Sequence, residues 1–80
     1  MSVSVKVYYT DGREEEKNLN RDNLLSELQA LVKGYIERVV LNPSHIAIVN
    51  EEGLLHRLQR NAAYPQFVGN VVIMASEDFD

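Results

Sequence analysis

Cysteine and tryptophan are missing from the sequence, while proline occurs only twice and glycine four times. Without cysteine the chain forms no disulfide, holds no thiolate-bound metal and has no cysteine nucleophile. No apolar run approaches the ~18 residues that a transmembrane helix needs, so we expect no membrane association. The opening Met-Ser-Val-Ser-Val-Lys lacks the basic and long apolar regions of a signal peptide. These absences predict a cytoplasmic protein.

Basic residues are also few. Eight lysines and arginines face twelve acidic residues, and the formal net charge is −4. The basic residues are dispersed, whereas binding to a phosphate backbone requires clustered lysine and arginine. The charge pattern therefore argues against direct contact with nucleic acid. Eighty residues make one small domain, and we assign it residues 1–75, followed by a frayed acidic tail at residues 76–80.

One stretch has the periodicity of an amphipathic helix. Its apolar stripe consists of Leu24, Leu25, Leu28, Leu31, Val32 and Tyr35. Asp22 or Asn23 is the expected N-cap, with Glu27 early in the helix, where its charge suits the helix dipole. Gly34 is the expected stop signal. Leu28 lies in the middle of the stripe, so we expect it to be fully buried.

Most other apolar segments have the pattern of strands. The predicted strands are residues 3–9, 13–18, 35–41, 46–49, a short return arm at 54–58, and 67–75. Asp11-Gly12 suits the first hairpin turn. One helix between such strands predicts an α+β fold, in which the helix packs on a mixed four- to five-stranded sheet. We expect a β-grasp-like arrangement, with the last strand beside the first.

The last strand is apolar on both faces. Alternation sends Val71, Ile73 and Ala75 to one side, and Val72 and Met74 to the other. A single helix covers only one face, and the segment at residues 59–66 has few apolar residues with which to cover the second. An exposed apolar face on a small protein usually marks an interface. The pattern therefore predicts a homodimer or a partner-protein interface there.

Several short motifs together resemble a known group. They are Lys33-Gly34-Tyr35-Ile36-Glu37, Asn50-Glu51-Glu52-Gly53-Leu54, Asn61 and Val68-Gly69. In this order the chain resembles a family of small domains of unknown function from phages and other mobile elements, over residues 24–74. The sequence departs from the family pattern at Gln59, where proline is usual. The resemblance implies a phage or mobile-element origin, and it transfers no catalytic residue.

Two histidines are the candidates for chemistry. His45 and His56 flank Glu51 and Glu52, and two imidazoles with a carboxylate suit zinc or iron. Their spacing matches no known metal motif, and no serine, threonine or carboxylate is identifiably paired with either histidine. We therefore expect no enzyme activity, no catalytic residue, no metal and no cofactor. A small histidine-dependent hydrolase or metal-binding enzyme is the alternative.

Acidic and aromatic residues are the candidates for partner binding. The tentative contact residues are Tyr8, Glu14, Glu15, Glu16, Glu51, Glu52, Tyr64, Val72 and Met74. Acidic clusters imitate the phosphates that a basic nucleic-acid-binding protein expects. The leading hypothesis is a non-enzymatic accessory protein that binds a host protein in the host cytoplasm and inhibits a nucleic-acid-targeting defence complex. A structural, self-associating module is a further alternative.

Overall fold

The computed structural model describes residues 1–79 and contains one five-stranded sheet with a helix on one face. The strands are β1 (Ser2–Tyr8), β2 (Glu14–Asn20), β3 (Ile36–Asn42), β4 (His45–Asn50) and β5 (Val71–Ala75). A 3₁₀ turn (Arg21–Asn23) leads into helix α1 (Leu24–Val32), and a short helix α2 (Ser76–Phe79) follows β5. The spatial order is β2-β1-β5-β4-β3. The α+β class and the helix packed on a sheet are confirmed.

The sheet is antiparallel throughout, so the prediction of a mixed sheet is wrong. The last strand does lie beside the first, as expected, but the two run antiparallel. Of the β-grasp-like arrangement, only the neighbouring positions of the first and last strands are confirmed. Alternating apolar residues report which face of a strand is buried, and they carry no information about the direction of its neighbour.

The predicted return arm at residues 54–58 is also wrong. Residues 51–57 form consecutive turns, with the His56 N–H donating to the Glu52 carbonyl at 2.9 Å and the Leu58 N–H donating to the Gly53 carbonyl at 3.0 Å. These bonds are local, so the segment does not pair with β4. Instead β4 pairs with β5, which begins at Val71 rather than at Phe67.

Helix α1 covers one face of the sheet. The buried residues on this side are Val3, Val5, Val7, Leu19, Leu28, Val32, Ile46, Ile48, Val72 and Met74. Leu28 is 0% exposed, as predicted. The stripe is narrower than expected, because Leu25 is 57% exposed and Tyr35, beyond the end of the helix, is 68% exposed. Within residues 1–79 no helix is long and apolar enough to cross a membrane.

The second face is covered by the chain between β4 and β5. Tyr64 and Phe67 pack against buried Ala47, Val49 and Val71. The expectation that this face stays open for a partner is therefore wrong over the part where the two rings lie. Two aromatic rings bury a large apolar area, so a mostly polar segment is enough to cover three small side chains.

Asparagine side chains bond the backbone just before α1 and at its C-terminal end. The Asn20 side chain accepts a hydrogen bond from the Asp22 N–H, and Glu27 accepts one from the Asn20 N–H. Asn23 occupies the N-cap position without a side-chain bond. The N-cap position of α1 is therefore where the sequence predicted it, while the side-chain cap bond belongs to Asn20, the N-cap of the preceding 3₁₀ turn.

At the C-terminal end, Lys33 adopts the left-handed conformation expected of Gly34, with φ of 64°. The Asn50 side chain donates to the carbonyls of Val32 and Lys33 at 3.0 and 3.3 Å. A Cβ at Gly34 would lie 2.7 Å from Asn50 Nδ2. Gly34 is thus required for the close approach of Asn50, which satisfies the last helix carbonyls.

Within the stretch expected to be a frayed acidic tail, Ser76–Phe79 form α2, which packs against the helix side of the sheet. Arg21 donates to the Asp78 carboxylate at 3.2 Å, and Phe79 lies against the core. The Arg38 guanidinium lies over the Phe79 ring, 5.7 Å from its centroid. The apolar contact of Phe79 with the core accounts for the packing of α2. The acidic residues around Phe79 conceal this contact in the sequence. Asp80 lies outside the described residues.

Truncation of Leu28 tests the assignment of the helix face. Leu28→Ala should lower the free energy of unfolding by about 2–5 kcal/mol, because it leaves a cavity in a fully buried site. Leu25→Ala is the matched control on the same helix, and its 57% exposed side chain predicts a change within about 0.5 kcal/mol. Urea unfolding followed by circular dichroism measures both. Equal losses for the two variants would contradict the assigned face.

Candidate interaction surface

The buried side chain of Asn61 holds the covering segment on the sheet. Its Nδ2 donates to the carbonyls of Tyr8 and Gly69 at 2.9 and 3.0 Å. Its Oδ1 accepts from the N–H groups of Ala63 and Tyr64, both at 3.0 Å. These bonds use the full capacity of an amide side chain, and Asn61 is 0% exposed. The position of Tyr64 over the sheet follows from them.

The turns at residues 51–57, which precede Asn61, expose two leucines to solvent. Leu54 is 83% exposed and Leu55 is 73% exposed. The tight packing of Gly53 helps to place them, because a Cβ there would lie 2.6 Å from Val68 Cγ2. Burial of a leucine side chain is favourable, so two adjacent exposed leucines are unusual on a small domain. They are the first element of a candidate interaction surface.

A groove of about 430 Å³ runs beside these leucines. We call it the leucine groove and define it by Leu54, Leu55, Phe67 and the carboxylates of Glu37, Glu51 and Glu52, all of which line it. Glu37 pairs in the sheet with Val49 of the second face, which brings its side chain to the groove side of β3. Arg38, the next residue, points to the other face, where it lies over Phe79.

The structure separates the acidic clusters that the sequence grouped as partner contacts. Glu14, Glu15 and Glu16 lie on β2, one edge of the sheet, whereas Glu51 and Glu52 follow β4 near the opposite edge. Glu14 pairs with Lys6 at 3.1 Å, and this interaction raises the lysine pKa. The acidic residues therefore do not form one continuous surface.

Tyr8 and Tyr64 are brought together as an edge-to-face pair, with ring centroids 5.0 Å apart. Both rings are half-buried, and burial raises the pKa of the Tyr64 hydroxyl. Their principal contact is thus with the domain itself. Val72 and Met74 are 0% and 2% exposed beneath α1, so neither offers a partner any surface in this fold. A partner contact at these two positions is excluded by their place in the core.

The two histidines lie apart in the fold. His45 begins β4, and its Nδ1 lies 2.9 Å from Ser44 Oγ, a pairing that the sequence did not reveal. Asn42 Oδ1 accepts hydrogen bonds from the Ser44 N–H, the Ser44 hydroxyl and the His45 N–H, so this is an exposed turn. His56 Nε2 lies 3.5 Å from Glu52. Within residues 1–79, no three histidine, aspartate or glutamate side chains are grouped to hold a metal ion.

Sequence reasoning missed Leu54, Leu55, Glu37 and Phe67 as parts of the surface. The available signal was two adjacent leucines between Glu51-Glu52 and a polar stretch. The leucines were assigned instead to a return strand, which would have buried one of them. Only Glu51 and Glu52 were both predicted as contacts and found at the leucine groove.

The fold and this surface define a small α+β domain with an apolar, acid-lined groove. A family model described as a domain of unknown function, DUF3846, matches residues 5–80. The match covers nearly the whole chain, and the chain therefore belongs to this family. No curated protein and no solved structure matches it.

Replacement of Asn61 tests whether this side chain holds the covering segment. Asn61→Asp puts a carboxylate oxygen against the carbonyls of Tyr8 and Gly69. We expect a loss of about 2–5 kcal/mol in unfolding free energy, since each buried acceptor left without a donor costs ~1–3 kcal/mol. Asn18→Asp is the control, because Asn18 is exposed and its Oδ1 only accepts a bond from Ser4. Equal stability of N61D and the wild type in urea would refute the anchoring role.

Tyr9 provides a test of local electrostatics on β2. Its hydroxyl donates to Glu15 at 2.7 Å, which lowers the pKa of Glu15. This depressed pKa contributes stability above the ordinary glutamate pKa of about 4.3, and the contribution is lost as the pH falls through the folded-state pKa. Tyr9→Phe should raise the Glu15 pKa, as measured by carbon-detected NMR titration. An unchanged Glu15 titration would show that the bond does not persist in solution.

Proposed function

We propose that this domain is a non-enzymatic module that acts by binding another protein at the leucine groove. The single observation that carries the proposal is the exposure of Leu54 and Leu55, at 83% and 73%. Covering two leucines would stabilise a complex by roughly 1.5–3 kcal/mol each before the costs of association. The groove supplies a concave surface beside them.

The proposal extends to the origin of the chain and its partner. A phage or mobile-element protein with this surface would bind a protein of its host. The carboxylates at the groove support a partner that normally binds nucleic acid, because such a protein presents basic residues. Inhibition of a nucleic-acid-targeting defence complex is the activity that would follow in the host cytoplasm.

The structure gives less support to self-association than the sequence did. The sheet face that was expected to mediate it is occupied in part by Tyr64 and Phe67. The leucine groove is lined in part by Phe67 itself and does not require a second copy. The proposal therefore places the partner at the groove and not on the sheet face.

The test is a comparative capture from lysate of the host. Wild-type protein, the Leu54→Ser/Leu55→Ser double variant and Leu25→Ser are immobilised at equal amounts. Leu25 is the matched control, because it is a 57% exposed leucine on α1, the helix on the other side of the sheet. We expect one stoichiometric partner to bind the wild type and L25S, and to be lost with the double variant.

Thermal unfolding of the three proteins checks that their folds are intact. The exposed positions predict similar melting temperatures, since surface substitutions away from packed features change stability by less than about 0.5 kcal/mol. A partner that binds the double variant as well as it binds the wild type would overturn the proposal. So would the absence of any partner at physiological salt.

A further inference from the structure

The lining of the leucine groove specifies the charge of what it binds. Glu37, Glu51 and Glu52 contribute three carboxylates, and within residues 1–79 no lysine or arginine lines the groove. We infer that the groove binds a segment of a partner protein in which lysine or arginine side chains flank large apolar ones. This inference rests on the proposed function and deepens it, because it names the chemistry of the recognised segment.

The carboxylates at the groove differ from those on β2 in their own ion pairing. Glu14 is paired with Lys6 at 3.1 Å, and Glu15 accepts from Tyr9 and lies 3.8 Å from Lys17. In the part of the chain that the structure describes, Glu37 and Glu51 form no ion pair. Glu52 lies 3.5 Å from His56, which is a cation only when protonated. The groove therefore carries negative charge that the domain itself leaves unbalanced.

Because the leucines lie next to the carboxylates, a segment that binds the leucines must also carry positive charge. A partner segment that covers Leu54 and Leu55 also removes water from the adjacent carboxylates. Desolvation of a charge without a partner is costly, so an uncharged apolar segment would lose much of what it gains. An acidic segment would be repelled. A segment with both apolar and basic side chains buries the leucines and pairs with the carboxylates at the same time.

The test uses three short synthetic peptides in place of the unidentified partner. One contains leucine and lysine in an amphipathic order, the second has glutamine in place of every lysine, and the third has serine in place of every leucine. Binding to the full chain is measured by fluorescence anisotropy. The bound site is mapped by amide shifts in ¹⁵N-correlated NMR spectra.

We expect the leucine–lysine peptide to bind at least about tenfold more tightly than either of the other two. Its shifts should centre on residues 51–55, Glu37 and Phe67. Glu37→Gln/Glu51→Gln should weaken binding about tenfold, whereas the control Glu14→Gln/Glu16→Gln should leave it unchanged. This control removes the same charge from an acidic surface that lacks adjacent leucines.

Two results would overturn the inference. One is equal binding of the glutamine and lysine peptides, and the other is a shift pattern centred on residues 14–16 rather than on the groove. Either result leaves the proposed function standing if the Leu54→Ser/Leu55→Ser variant still loses the captured partner. If that variant keeps the captured partner, the proposed function fails on its own experiment, whatever the peptides show.

Discussion

The structure depends on covering both faces of one small sheet, and the hydrogen bonds of Asn61 make this possible. Within residues 1–79, α1 is the longer of the two α-helices, and it buries one face. The other face carries Ala47, Val49 and Val71, and Tyr64 and Phe67 pack on them. The Asn61 side chain joins Tyr8 of β1, Gly69 just before β5, and the backbone of Ala63 and Tyr64. A buried polar network of this kind stabilises a fold only when every member is bonded, and here every member is.

The same arrangement creates the candidate site. Residues 51–57 close on themselves through local hydrogen bonds, so Leu54 and Leu55 stay outside both cores. Glu37 reaches them from β3 because side chains alternate along a strand, while its neighbour Arg38 lies on the helix side. An apolar surface and an unbalanced negative charge therefore meet at one place. The β2 edge has the charge without the leucines, which is the pattern of a protected sheet edge.

Errors in the sequence interpretation came from local turns and from contacts between distant segments. The apolar residues at 54–58 and 67–70 suited strands by local pattern, yet turns and a glycine with φ of 80° at position 69 occupy them. Asn50 was noted only as part of a short motif, although its amide group closes the end of α1. The tail was interpreted from its charges, and Phe79 was overlooked. Asn50 and Phe79 contact residues far along the chain, where periodicity carries no information.

What the sequence determined by itself is the main helix and which residues share a face within it and within the strands. The alternation in β1, the stripe around Leu28 and the two apolar faces of β5 follow from residue spacing, because strand and helix geometry fix which side chains share a face. The tertiary structure alone decided the antiparallel order, the covering of the second face and the separation of the acidic clusters. It also decided that Val72 lies in the core while Leu54 lies in solvent. Both are large apolar residues, and their burial depends on which distant segment packs against them rather than on their own hydrophobicity.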